Sequence, residues 1–420
     1  MPSRARLLRR VGSDSVWNGK LVSILSMTIV FLLSAGFAKV MAMFVNWVCA
    51  QKLTRKYVAA DKSLNLLLIT LYPILLLYGL SEKDSLQSIA FVWWIAIAIG
   101  AIGFVALVGA AIRHWCYRPP SCEVSVISKI IDLRTTVDGV GWKVRLVGLR
   151  SRLRRIALLP GNEQFSIEVS TKTYVLPALP ACWNGLTIVH LSDCHFHSGV
   201  TRAYFEAVCD QAAALNPDLM IFSGDLLDDQ KRLEWLPQTL GRLRGALGQF
   251  FVLGNHDWYL DAAATRQEFV RLGWSDLSHH PVTILPNTTS APVPLVLCGD
   301  ETPWMGSHPD LTQTSPDGFR ILVSHTPDNI NWARENKIRL MLAGHTHGGQ
   351  IQLPILGPVY SPSRFGCRFA SGVFWLDPTL MYVSRGISGK EPIRYNCRPE
   401  VTQLKLLRSV EDQAATSVRS

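Results

Sequence analysis

Paired cysteines are the first thing this 420-residue chain lacks. Its nine cysteines are scattered, with no C-x-x-C or similar short spacing, which argues against a disulfide framework and favours a reducing compartment. Internal repeats and low-complexity tracts are missing too, which sets aside repeat architectures. No small-residue cleavage site stands out, and further apolar runs follow the first, which argues against a removed signal peptide. Arg9-Arg10 is a twin-arginine pair, but Val11-Gly12-Ser13-Asp14 after it does not look like that export signal. Acidic charge is the scarcer sign, 32 Asp and Glu against 42 Lys and Arg, giving a net charge of +10. The basic excess gathers near the N-terminal third.

What the chain does have is apolar length. The hydrophobic fraction is 48%, concentrated before residue 115. Leu21–Ala50, Leu64–Leu80 and Ile89–Ile112 are each of spanning or near-spanning length. Arg4, Arg6, Arg9, Arg10 and Lys20 precede them, and Lys52, Arg55, Lys56 and Lys62 follow the first. Clusters of this kind face anionic lipid or fix topology, so membrane lipids are an expected partner and nucleic acid is not. No obligate protein partner is evident. Three full spans would put two basic tails on opposite sides. A hairpin turning near Gly36–Lys39 would instead leave only Glu82-Lys83-Asp84 opposite, and the positive-inside bias favours that arrangement with a cytoplasmic catalytic domain.

Five domains are expected: a basic tail (1–20), a transmembrane region (21–112), a basic connector (113–164), a catalytic domain (165–407) and a flexible tail (408–420). Within the connector, Val140–Leu159 reads either as an amphipathic segment on the membrane surface or as a helix packed on the catalytic domain. From Phe165 short β-rich runs alternate with helical stretches. Candidate strands are Phe165–Val169, Thr187–Leu191, Leu219–Phe222, Phe250–Leu253, Thr283–Leu285, Leu295–Cys298, Arg320–Val323, Leu340–Leu342, Val373–Leu376, Met381–Val383 and Gln403–Leu406. Helices are expected at Thr201–Leu215, Leu233–Leu247 and Ala262–Leu272. The pattern implies an α/β domain with two packed sheets.

Five blocks in this domain carry the chemistry. They are Asp193-Cys194-His195, Gly224-Asp225-Leu226-Leu227-Asp228, Gly254-Asn255-His256-Asp257, Ser324-His325-Thr326 and Gly344-His345-Thr346-His347. Each follows an apolar run at the point where a strand emerges into a loop, and ligand sites of α/β sheets lie beyond such strand ends. Glycines 224, 254 and 344 suit tight turns and close backbone approach. One Asp-x-His or His-x-His alone is weak evidence; five in order supply carboxylate, amide and imidazole for two divalent cations. Such a pair drives in-line displacement at phosphorus. Cys194, between two of these side chains, points to the opposite strand face and reads as packing.

The set resembles the calcineurin-like metallophosphoesterase superfamily, whose signature is D-x-H, G-D-x-x-D, G-N-H-D/E, H and G-H-x-H, over about residues 165 to 407. Gly348-Gly349-Gln350, the stretch from Val383 to Arg394, and Arg398-Pro399-Glu400 look like its bacterial membrane-associated, lipid-headgroup phosphodiesterase-like branch. That resemblance implies a four-layer α/β/β/α sandwich, here preceded by an all-α transmembrane region. Carried over by position, Asp193, His195 and His347 would bind one metal, and Asn255, His325 and His345 the other. Asp225 would bridge them. The ligand mix suits Mn, Fe or Zn. A hydroxide held between the metals would attack phosphorus, with His256 as the acid and Asp257 or Asp228 orienting its ring. Arg364, Arg385 and Arg394 are candidates to hold substrate phosphate.

The expected function is therefore a membrane-anchored two-metal phosphoesterase. It would hydrolyse a phosphate ester or pyrophosphate of a lipid headgroup, nucleotide-lipid or phosphorylated small molecule. One competing reading is a non-catalytic membrane protein with a structural metal centre. Another is a protein or nucleotide phosphatase of the same superfamily. Protein phosphatases place an arginine after the second block, where this chain has Asp228-Asp229-Gln230.

Overall fold

A computed structural model describes residues 4–81, 90–136, 141–148, 151–197, 199–287 and 292–409. Glu82-Lys83-Asp84, expected on the far side of the membrane, and most of the C-terminal tail lie outside those residues. The chain divides into two units, Met1–Val48 with Lys56–Cys116, and Cys49–Arg55 with Tyr117–Ser420.

The first unit contains three helices, α1 (Arg4–Cys49), α2 (Arg55–Ser81) and α3 (Ala90–Cys116). Each holds an apolar stretch long enough to cross a bilayer: Ile24–Cys49, Arg55–Gly79 and Phe91–Cys116. α1 runs unbroken through Gly36–Lys39, so the hairpin expected there does not form, and the N-terminal segment expected as a tail is helical from Arg4. The helices close on small residues. A Cβ on Gly36 would lie 1.9 Å from the Gly100 carbonyl oxygen, and one on Gly103 2.0 Å from that of Gly36. Tyr72 stacks on Phe37 at 4.1 Å and donates its hydroxyl to the Ala96 carbonyl at 2.7 Å.

The second unit is built on two sheets. The first has seven strands: β1 (Glu123–Asp132), β2 (Ser166–Leu176), β3 (Thr187–Leu191), β4 (Leu219–Ser223), β5 (Gly248–Val252), β6 (Ser275–Asp276) and the last strand of the chain, which inserts between β2 and β3. The second contains β7 (Val282–Ile284), β8 (Leu295–Asp300), β9 (Phe319–Ser324) and β10 (Leu340–Ala343). After a small hairpin of β11 (Gln352–Leu353) and β12 (Gly357–Pro358) come β13 (Gly372–Leu376), β14 (Thr379–Val383) and β15 (Glu400–Arg408). The orders are β1-β2-β15-β3-β4-β5-β6 and β13-β14-β10-β9-β8-β7. β3, β4 and β5 are mutually parallel, as are β8, β9 and β10, so their carboxyl ends emerge on common edges. Ile188, Ile221 and Leu404 of the first sheet share one buried cluster with Leu297, Ile321 and Leu342 of the second. This is the packed pair of sheets expected, with mixed strand direction.

Three differences from the sequence reading have local causes. The connector is part of the domain: β1 pairs antiparallel with β2, and Leu146, Val147 and Ala157 are buried in the main core. β1 is a mostly exposed edge strand, so its burial signal is weak. Between Gln230 and Arg242 the chain forms 3-10 turns rather than the expected α-helix, because Pro237 lacks the N–H that a regular helix requires.

Candidate metal centre

All five motif blocks leave the carboxyl ends of parallel strands. β3 delivers Asp193 and His195, β4 delivers Asp225 and Asp228, and β5 runs into the short helix Asn255–Trp258. β9 delivers His325, and β10 delivers His345 and His347. Asp193, His195, Asp225, His345 and His347 all have positive φ, between 47° and 71°, a region that non-glycine residues seldom occupy. Strain of this kind is retained where the fold fixes a side chain for use. Close approach completes the edge. A Cβ on Gly254 would sit 2.2 Å from Asp225 Oδ1, and one on Gly344 1.8 Å from Ser192 Oγ.

The side chains fall into two groups that share one member. Asp193, His195, Asp225 and His347 bring one ligand atom each within 4.8 Å of the others, and Asp225, His325 and His345 do the same. Asp225 faces both ways: Oδ2 lies 3.4 Å from His195 Nε2, and Oδ1 lies 3.4 Å from His325 Nε2. Asn255 Oδ1 is 3.1 Å from His325 Nε2, and His195 and His347 turn their Nε2 atoms to each other at 3.2 Å. The far nitrogens are fixed from behind. His195 Nδ1 bonds Asp228 at 3.2 Å, His325 Nδ1 bonds the Ser223 carbonyl at 2.8 Å, and His347 Nδ1 bonds the Ser388 carbonyl at 3.1 Å. Backing of this type orients imidazoles that ligate metal.

Two buried atoms at the centre, Asp225 Oδ2 and His345 Nε2, have no hydrogen-bond partner among the described residues. Leaving such atoms bare costs about 1–3 kcal/mol each, and more for charged groups. Asp193, Asp225 and Asp228 also concentrate negative charge where almost no solvent reaches. Divalent cations answer both problems, so the residues present fit a two-metal centre. Burial alone would lower the His195 pKa, but the charge and hydrogen bond of Asp228, then Asp225 and Asp193, hold it up at about 9. His325 is likewise raised to about 9, with the Asp225 charge overcoming burial.

His256 stands beside this cluster, one-fifth exposed. Its Nδ1 meets Asp228 in a very short contact, and its backbone N–H donates to Asp225 Oδ1 at 2.8 Å. Asp257 does something else. It is fully buried and accepts backbone N–H groups of Leu226, Leu227 and Gly254, tying the second and third blocks together. Burial and the nearby Asp225 charge push its pKa up to about 6. Of the two expected partners for His256, Asp228 is the one in contact with its ring.

The expected phosphate arginines are placed differently. Arg394 is completely buried and donates to the carbonyls of His347, Arg385 and Ser388. Arg385 is clamped by Glu400 at 2.7 Å and Glu168 at 2.8 Å. Both brace the loop behind His347, so their donors are taken up by the protein rather than left for the phosphate expected of them. Arg364 is 54% exposed and donates to the Asp328 carbonyl at 3.0 Å. Cys194 is buried in the main core, as its strand position implied. Trp304 also lines the site: its ring lies 4.8 Å from His345 and 5.5 Å from His325, walling the second group. No motif marks it.

Residues 186–349 match the model of the calcineurin-like phosphoesterase family. The chain is 29% identical over 253 residues to the uncharacterized metallophosphoesterase YkuE of Bacillus subtilis, covering 58% of this chain and 87% of that protein. It is 28% identical over 228 residues to the phosphodiesterase YaeI of Escherichia coli, covering 52% and 82%. It is 27% identical over 299 residues to the UDP-2,3-diacylglucosamine pyrophosphatase LpxG of Chlamydia trachomatis, covering 57% and 89%.

Proposed function

We propose that this chain, a calcineurin-like metallophosphoesterase and metal-dependent phosphoric ester hydrolase, cleaves phosphodiester or pyrophosphate bonds of lipid-headgroup or nucleotide-lipid substrates at the membrane surface. The observation that carries the reading is the two-faced Asp225, whose oxygens each address a different group of imidazoles. Asp193, His195 and His347 would hold one cation and Asn255, His325 and His345 the other, with Asp225 common to both groups. When bound, the metals polarise the phosphoryl oxygens and make a water nucleophilic near neutral pH. Mn, Fe and Zn all accept this mixture of oxygen and nitrogen ligands.

The remaining residues position and move protons. Asp228 holds His256 through Nδ1, which leaves Nε2 to hand a proton to the departing oxygen. The same carboxylate fixes the His195 ring, so ligand and acid share one brace. In this reading Arg364, more than half exposed and held by Asp328, binds a substrate phosphate, while Arg385 and Arg394 keep the His347 loop in place. Two features support an amphiphilic substrate: the three apolar helices, and the β11–β12 hairpin soon after His347, which exposes Leu353 and Ile355.

His256→Ala tests the proton step. The expected loss in kcat is about 10²–10⁴-fold, larger for substrates with a more basic leaving group, with metal content retained. A variant that turns over an alkyl phosphodiester at the wild-type rate would remove His256 from the chemistry.

A further inference from the structure

The loop between α1 and α2 belongs with the catalytic unit. Residues Cys49–Arg55 group with the α/β domain rather than with the apolar helices that flank them. Tyr259 donates its hydroxyl to the Leu53 carbonyl at 2.7 Å. The Lys52 ammonium lies 5.5 Å above the Trp258 ring, and the Arg55 guanidinium 5.0 Å above that of Tyr259. Trp258 and Tyr259 directly follow the third motif block. The short helix that presents Asn255 and His256 therefore continues into the aromatic pair on which the loop cations rest. Arg55 also comes to 3.7 Å from Asp228 Oδ1, on the carboxylate that holds His256. Tyr259 and His256 themselves meet edge to face at 6.0 Å.

We propose that Arg55 is a substrate-binding residue that holds the second, departing phosphate of a pyrophosphate-linked substrate. The inference rests on the phosphodiester and pyrophosphate reading above and narrows it. At 3.7 Å the Asp228 contact is too long to be a hydrogen bond, so the guanidinium's donors are not committed to that carboxylate. Its side chain remains 43% exposed. Stacking on Tyr259 limits its freedom, so little ordering remains when it grips a phosphate with two parallel bonds. Its position fits the departing group: a phosphate that takes the His256 proton leaves past Asp228 and Tyr259.

The reaction balances with water alone. A water oxygen forms the new bond to one phosphorus, and the P–O bond to the bridging oxygen breaks. The bond's electron pair stays on that oxygen, which accepts the His256 proton; one water hydrogen remains on the new phosphate, the other passes through solvent to restore His256, and two phosphate monoesters result. Arg55 offsets charge on the departing one. A substrate whose leaving group is an uncharged phenol has nothing for Arg55 to hold.

The test uses the full-length, manganese-loaded protein in detergent. It compares kcat/KM for UDP-glucose and for bis-p-nitrophenyl phosphate in wild type, Arg55→Ala and Arg55→Lys. Inhibition of bis-p-nitrophenyl phosphate hydrolysis by α,β-methylene-UDP adds a binding readout. Arg55→Ala should lose at least about tenfold more on UDP-glucose than on the phenyl diester and raise the inhibition constant by a similar factor, with Arg55→Lys between. Equal losses on both substrates with an unchanged inhibition constant would show that Arg55 acts only through Asp228, and would overturn the proposal. If wild type spares UDP-glucose, the inhibition constant decides alone. A wild type inactive on both substrates would instead break the hydrolase reading itself.

Discussion

The two units use the same apolar residue types in opposite ways. In the helices, Ile24, Leu25, Phe31, Leu66, Phe91, Val105 and Trp115 stand 61–76% exposed, while in the α/β unit Leu191, Ile221, Val323 and Leu342 are wholly buried. The first pattern suits a hydrocarbon solvent, in which outward apolar side chains cost nothing and helices associate through backbone proximity at small residues. The second suits water, in which burial drives folding and leaves the interior able to hold charge only when it is paired. Among the described residues, buried charge accordingly lies in the second unit, where Glu400, Arg385 and the aspartates of the motif blocks are enclosed. Glycine serves both: Gly36 admits a neighbouring helix, and Gly254 admits a ligand carboxylate.

Removing enclosed charge should break the α/β unit most severely. Glu400 is 2% exposed, bonded to Arg385 and to the hydroxyl of Tyr382 at 2.8 Å. Glu400→Gln should cost up to about 3–5 kcal/mol, since it takes one of two carboxylates from a mostly buried guanidinium and leaves Glu168 alone to pair it; a thermal melt reads it. Although burial opposes ionisation, Arg385 and Lys172 hold the Glu400 pKa down at about 2 from a usual 4.5. A depressed carboxylate stabilises fully above its unfolded value, and that contribution fades as pH falls from about 4.5 towards 2. Glu400→Gln should flatten the acid limb of the stability profile over that window.

Gly254→Ala should come next, about 10² lower in kcat because its methyl would displace the Asp225 carboxylate, with the fold retained by circular dichroism. The smallest effect belongs to the helices. Gly36→Ala should destabilise their packing by about 1–3 kcal/mol, read as a lower melting temperature in detergent. Its catalytic rate on bis-p-nitrophenyl phosphate should match wild type. A Gly36 variant that lost activity as Gly254→Ala does would erase the distinction between the units.

Much of this was legible because it is periodic or local. The strand at Thr187–Leu191 matches residue for residue, since both of its faces are buried and its apolar run is continuous. The ligands could be read because each sits at the end of such a run. What escaped depends on distance in space. Arg394 looked like a phosphate ligand until its carbonyl partners came into view, and Asp257 like a partner of His256 until it was found holding Leu226 and Leu227. Arg55, some two hundred residues before Tyr259, read only as one more juxtamembrane cation. The positive φ of five site residues has no signature in residue type.

The proposed chemistry needs two cations sharing Asp225. Protein reconstituted with manganese, desalted and measured by elemental analysis should hold two metal ions per chain, and Asp225→Ala should hold fewer than one. Wild type with one ion or none, or Asp225→Ala retaining two, would contradict it.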